Sequence, residues 1–393
     1  MKKIIILSFC LFLTLFTYNL SAQSIDTIAG NGFMGYTGDG IKALDASLYN
    51  PMSICLDDLG NIYIADMQNN RIRMIDNLQV IHTMGGTGNF GFNGDEQRAV
   101  KCNLAFPMGV HVQTVDKEKK KVRIFICDSR NNKIRMVNEF GIMRTMAGSG
   151  RFGNSGDNGP AVKADFAWPT SITLDENGNI YIADTYNNKI RVIYFKGSIA
   201  GDNSKKIIPD PRPGYIYNLV GTGMGGYGGD GELANIANLR TPWDVIPVNG
   251  ELYISDKDNH IIRKVSREGI ISTIAGIPGI NGYYGDILKA TEEKLNLPYG
   301  LWADANAVYI ADSMNSRIRK IVDKDNSIST ICGIGEFGFS GDGAPANICM
   351  ISHPVDIFGD GKGNFYICDL ENQRIRLITG GQAQQKTGTG AEK

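Results

Sequence analysis

The sequence predicts an all-β protein, a six-bladed β-propeller of four-stranded antiparallel blades closed by an N-terminal strand that completes the last blade. Three observations carry that expectation. A hairpin of the form Tyr-Ile-Ala-Asp-x-x-Asn-x-(Lys/Arg)-Ile-Arg, or a close variant, occurs six times, with its aspartates at Asp66, Asp128, Asp184, Asp256, Asp312 and Asp369. The gaps between them, 62, 56, 72, 56 and 57 residues, mark a repeat architecture rather than a string of independent domains. Segments ending in Thr-(Ile/Met)-Ala-Gly or a variant also occur six times, but the first, at 25–30, precedes every hairpin and none follows Ile378. The N-terminal strand is therefore expected to pair with residues 374–378 and cover two open sheet edges.

Residues 1–22 read as a secretory signal: Lys2 and Lys3, an apolar run over 4–16, and small residues at Ser21-Ala22. The apolar run is shorter than the ~20 residues a membrane-spanning helix needs. The propeller is assigned to 23–379. Within one unit, 169–175 is a strand rich in β-formers, Glu176-Asn177-Gly178 a tight turn, 179–183 a second strand and 189–194 a third beyond the Asp-x-x-Asn loop. Connectors of about twenty residues, such as 30–51, lead from each fourth strand to the next unit. Two inserts, 197–214 and the basic 117–121, are expected to be solvated loops, and 380–393 a disordered polar tail.

Composition narrows the function classes. Forty basic against 41 acidic side chains argue against a nucleic-acid binder. Removing residues 1–22 takes away two lysines and no acid, leaving 38 against 41, a net charge of −3. No later apolar stretch is long enough to span a bilayer, so the expectation is an exported chain (periplasmic, cell-surface or extracellular), and a monomer.

The six hairpins, with their Thr-Ile-Ala-Gly…Gly-Asp-Gly…Ala-x-x-Ala-x-Leu-x-x-Pro connectors, resemble NHL repeats of the bacterial exported type from about residue 25 to 378. The resemblance implies a binding platform for proteins or other ligands. Related six-bladed propellers include lyases, lactonases and hydrolases, so fold alone does not decide activity.

Residues that obey the repeat read as structural. The Gly-Asp aspartates Asp39, Asp95, Asp157, Asp230, Asp286 and Asp342 have the chemistry of calcium ligands, yet each precedes an Ala-rich segment whose helical turn it is placed to cap. The hairpin aspartates, and the asparagines three residues later, read as turn formers. Arginines such as Arg73 and Arg191 are expected to pair with carboxylates between blades. Six cysteines beyond Cys10 mostly replace alanines and are expected to be buried free thiols.

Residues that depart from the repeat are the site candidates. Two positions after each inner-strand proline stand Ser53, Gly109, Ser171, Asp244, Gly300 and Asp356, so Asp244 and Asp356 replace small residues near the axis. Trp168, Trp243, Tyr299 and Trp302 add aromatic surface, and His111 and His353 add titratable groups, around the channel mouth on the face carrying the connectors and Asp-x-x-Asn loops. No catalytic residue or metal ligand is assigned and no cofactor is expected, calcium or another divalent metal being the one class kept open. The functional expectation is a non-catalytic binding or scaffold module for a protein or carbohydrate ligand. The alternative is a channel-site enzyme of the metal-dependent lyase or lactonase/hydrolase type.

Overall fold

The computed structural model describes residues 23–322 and 324–380; the signal and most of the tail read above lie outside them. Six antiparallel sheets stand around an axis. In the first blade the strands run outward as Pro51–Leu56, Ile62–Asp66, Arg71–Ile75 and Val80–Gly85. The second strand is buried along its whole length, as a strand covered on both faces must be. The buried Ile, Val and Leu side chains gather into clusters shared by neighbouring blades. In the sixth sheet Ser24–Ala29 pairs antiparallel with Arg374–Thr379, Ile25 lying opposite Ile378.

Four blades gain a short fifth strand. The connector contributes Ile41–Lys42, Gln97–Arg98, Gly159–Pro160 or Ala344–Pro345 to the outer edge of its sheet. This pairing satisfies backbone groups that a four-stranded edge would leave to water. Every pairing of third and fourth strands carries a register shift, between Ile72 and Arg73 in the first blade. The extra residue, Met84, lies on the fourth strand; Ile72 and Arg73 of the third strand are both fully buried because that strand is covered on both faces.

The 197–214 insert is not a solvated loop. Ile199, Ala200 and Ile208 pack with Leu252 and Val265 of the fourth blade, and the Gly201 N–H bonds to the Gly250 carbonyl at 2.9 Å. Its apolar residues cover a seam between blades, which the polar flanks of the segment hide in the sequence. The six cysteines within the described residues are buried free thiols.

Candidate functional site

The geometry repeated in every blade begins with a buried arginine. Arg73 lies between Asp66 at 3.4 Å and Asp39 at 3.1 Å, and Arg135 lies between Asp128 and Asp95 at 3.2 and 2.8 Å. The other four blades repeat the clasp with Arg191, Arg263, Arg319 and Arg376. Burial pushes the Asp66 carboxyl up to about 6, while hydrogen bonds from Asn69 and the Tyr49 N–H, and the Arg73 charge, pull the other way.

Two expectations change here. The Gly-Asp aspartates cap no helix: the short 3-10 turn begins at Ala43 after Lys42, with no side-chain cap. They instead hold arginines, a stronger partner for a carboxylate than a backbone N–H. The arginines pair within their own blade and connector, not across to a neighbouring blade, because the connector folds onto the outer edge of the blade it introduces: Thr83 of the fourth strand also bonds to Asp39.

The axial site is built from the inner strands, which open at Pro51, Pro107, Pro169, Pro242, Pro298 and Pro354. The residues just before them, Asn50, Phe106, Trp168, Thr241, Leu297 and His353, all have φ between 46° and 57°. A bulky residue before proline avoids this left-handed region. The previous blade holds it there: the Trp168 N–H bonds to Asn132 Oδ1 at 3.2 Å and the Leu297 N–H to His260 Nδ1 at 3.1 Å. The strain places the Trp168 and His353 side chains at the mouth.

From that mouth the inner strands descend through successive levels. The first after proline holds Met52, Met108, Thr170, Trp243, Tyr299 and Val355. The second holds Ser53, Gly109, Ser171, Asp244, Gly300 and Asp356. The fourth holds Cys55, His111, Thr173, Ile246, Trp302 and Phe358. Levels one and four are three residues, roughly 10 Å, apart along a strand. Trp168, Trp243, Tyr299 and His353 therefore stand on the connector face, while His111 and Trp302 stand toward the opposite, short-turn face. The sequence placed all eight candidates around one mouth; the structure divides them, with Asp244 and Asp356 between.

The second level closes the channel. Asp244 accepts hydrogen bonds from Ser171 Oγ at 2.5 Å, from its neighbour Val245 N–H at 2.8 Å and from Leu301 N–H of the next blade at 2.7 Å. Asp356 accepts from Ile357 N–H and, across the first-to-last junction, from Ile54 N–H, both at 2.8 Å. A Cβ on Gly300 would come within 2.6 Å of the Asp356 Cα, so glycine is what admits Asp356 beside the fifth blade. Burial raises both carboxyls, and the Asp244 charge raises Asp356 further, while the hydrogen bonds oppose the rise. Neither carboxylate has a lysine or arginine within ion-pair distance among the described residues.

Above this plug, on the connector side, the axial space is only about 20 Å³. The mouth there is a shallow aromatic surface. Trp243 and Tyr299 lie 4.5 Å apart under Lys257, and Trp168 lies 5.7 Å from Tyr186 beneath Arg130. His353 sits 4.8 Å from the Phe337 ring, with Nδ1 2.7 Å from Glu371. Below the plug a cavity of about 140 Å³ is lined by His111, Trp302, Phe358 and both aspartates. Burial pushes His111 down to about 4, keeping it neutral. Among the described residues, no three or more His, Cys, Asp or Glu converge as metal ligands.

The hairpin residues Arg130, Tyr186, Lys257 and Glu371 are absent from the sequence-derived candidates. Comparing the two positions after each hairpin aspartate, where the repeats also diverge, is the signal that finds them.

A model of the Teneurin NHL domain matches residues 32–93, and one of the NHL repeat matches residues 166–193. NHL repeat-containing protein 2 of Gallus gallus is 29% identical over 356 residues, covering 84% of this chain and 46% of that protein. Protein Suppressor of quenching 1, chloroplastic, of Arabidopsis thaliana is 28% identical over 305 residues, covering 72% and 26% respectively. The chain thus spans less than half the length of these relatives. Among solved structures, an auxiliary nutrient binding protein from Bacteroides thetaiotaomicron superposes with a TM-score of 0.59 at 15% identity, over 91% of this chain and 76% of that one. That likeness is one of fold.

Proposed function

We propose that this NHL-repeat β-propeller is an exported, non-catalytic binding module that presents its connector face to a protein ligand. The observation that carries the reading is the exposed apolar ring at the connector tips. Met34, Phe90, Phe152, Met224, Ile280 and Phe337 come from six successive connectors, and each is between 46% and 67% exposed. Exposed apolar surface repeated around a rim marks an interaction face. Within the rim, Trp168, Trp243 and Tyr299 supply the aromatic anchors on which protein interfaces concentrate their energy. A space of about 20 Å³ is too small to enclose a small solute, whereas a shallow surface of this kind suits a macromolecule.

Export rests on the reading of residues 1–22; no helix of the described residues is long and apolar enough to cross a membrane. Carbohydrate is the second reading, favoured by the Trp243–Tyr299 platform with Lys257 above it. The enzyme alternative needs convergent metal ligands or an activated nucleophile, and the channel residues offer neither arrangement. The nutrient-binding description belongs to the Bacteroides protein and adds nothing here beyond fold.

A photocrosslinking residue at Phe152 or Phe337, compared with one at Leu78 on the short-turn face, tests the reading in producing cells. Protein adducts from the two connector positions, absent from Leu78 and lost with Trp243→Ala, are expected. Equal labelling at all three positions, or capture of glycan alone, overturns it.

A further inference from the structure

The plug divides the channel into two compartments, and the one on the short-turn side is unused by the function proposed above. Its floor is the pair Asp244 and Asp356. Each carboxylate oxygen accepts up to two hydrogen bonds. Asp244 accepts three, from Ser171 Oγ, Val245 N–H and Leu301 N–H, and Asp356 accepts three, from Ile54 N–H, Ile357 N–H and the Ser53 hydroxyl, out of about four that a carboxylate can take. Both carboxylates therefore keep acceptor capacity toward the cavity. The titratable groups facing the pair are His111 and the thiols Cys55, Cys127 and Cys368, whose ionisation their own burial and the nearby carboxylates oppose. Among the described residues no lysine or arginine lines the cavity to balance the floor.

The walls complete the chemistry. Among the described residues His111 has no hydrogen-bond partner, and burial keeps it neutral, so its imidazole has a lone pair to offer. Ile246, Trp302 and Phe358 are apolar. Trp302 is held in place against Tyr309 at 5.4 Å and Phe365 at 5.7 Å, and a Cβ on Gly359 would come within 2.7 Å of its ring. A fixed aromatic wall beside an anionic floor attracts a cation with an apolar body. The volume, about 140 Å³, limits that body to a few carbons.

We propose that the short-turn end of the channel is a second, separate binding site for a small primary ammonium ion, which donates its N–H groups to Asp244, Asp356 and His111. An ammonium has three donors and no acceptor, matching a site of acceptors. A bare metal ion would need several ligands at close range, and among the described residues no three His, Cys, Asp or Glu converge here.

Calorimetric titration of the intact protein with n-butylammonium, 1-butanol, potassium and calcium tests the assignment, run in two buffers of different ionisation enthalpy. Butylammonium is expected to bind at one site with release of protons and with affinity rising with pH, because the ion favours the charged carboxylates; 1-butanol is expected not to bind. Asp356→Ser, which installs the serine that other blades carry, is expected to weaken binding about tenfold or more. His111→Leu leaves the carboxylates in place and is expected to weaken it severalfold. Absence of butylammonium binding, equal binding of 1-butanol, binding of the metal ions alone, or wild-type affinity in either variant that retains its melting transition overturns the proposal.

Discussion

The arginine clasps and the axial ring both bury carboxylates, yet they solve the problem of charge differently. In each clasp a fully buried arginine stands between a buried hairpin aspartate and a connector aspartate that reaches water, as Arg191 stands between Asp184 and Asp157. At the axis, Asp244 and Asp356 have backbone N–H and hydroxyl donors but no cation. The clasp recurs in all six blades, while carboxylates occupy two of the six ring positions. The difference teaches that a repeated buried charge brought with its counter-charge is scaffold, and an unrepeated one left without it is the better place to look for a ligand.

The largest expected effect breaks the scaffold side of this comparison. Arg191→Met leaves Asp184 buried without its partner and should destabilise the fold by about 3–5 kcal/mol, the usual cost of halving a buried pair. Denaturant unfolding at neutral pH checks this; a loss under about 1 kcal/mol would mean that the clasp does not hold the blade.

The axial pair gives a smaller effect that depends on pH. Its carboxyls are raised above the ordinary value of 3.8 by burial, and Asp356 further by the Asp244 charge. The folded state therefore binds protons more tightly than the unfolded chain. The stability this contributes is fully present below pH 3.8 and is lost as pH rises through the raised values. Each unit of elevation corresponds to about 1.4 kcal/mol. The stability of the wild type minus that of Asp244→Ser/Asp356→Ser should accordingly fall as the pH is raised above 3.8. The hairpin aspartates, also raised, are common to both proteins and cancel. A difference that stays flat with pH would show that the pair is not coupled to the fold.

The smallest expected effect concerns the hydrogen bond between blades that holds the left-handed residue at the mouth. His260 accepts the Leu297 N–H where three other blades use Asn70, Asn132 or Asn188. His260→Ala should cost about 1 kcal/mol. His260→Asn should restore most of it, because Asn also tolerates the left-handed backbone that His260 adopts at φ 59°. Melting temperatures of the two variants decide it: equal losses would mean that the imidazole packs rather than bonds.

The hairpin motif and its spacing made the blade count legible, because each Asp-x-x-Asn loop is a local structure repeated at nearly constant length. The ring position of Asp244 and Asp356 was legible too, since departure from a repeat shows in the sequence alone. The fifth strands were not: Ile41–Lys42 and Gln97–Arg98 are two-residue pairings that acquire meaning only against a neighbouring edge. Nor was the burial of Ile199 and Ile208, whose contacts lie in the next blade.

What the sequence determined by itself was periodicity: six units, their inner strands, and the residues that break the pattern. Only the tertiary structure decided which aspartate each arginine meets, and that six of the eight candidates belong to two ends of a channel closed by the other two, Asp244 and Asp356. The reason is physical. Strand and turn preferences act between neighbours along the chain, whereas the height of a side chain on the axis and the partner of a buried charge are fixed by residues distant in sequence, as Asp39 is from Arg73.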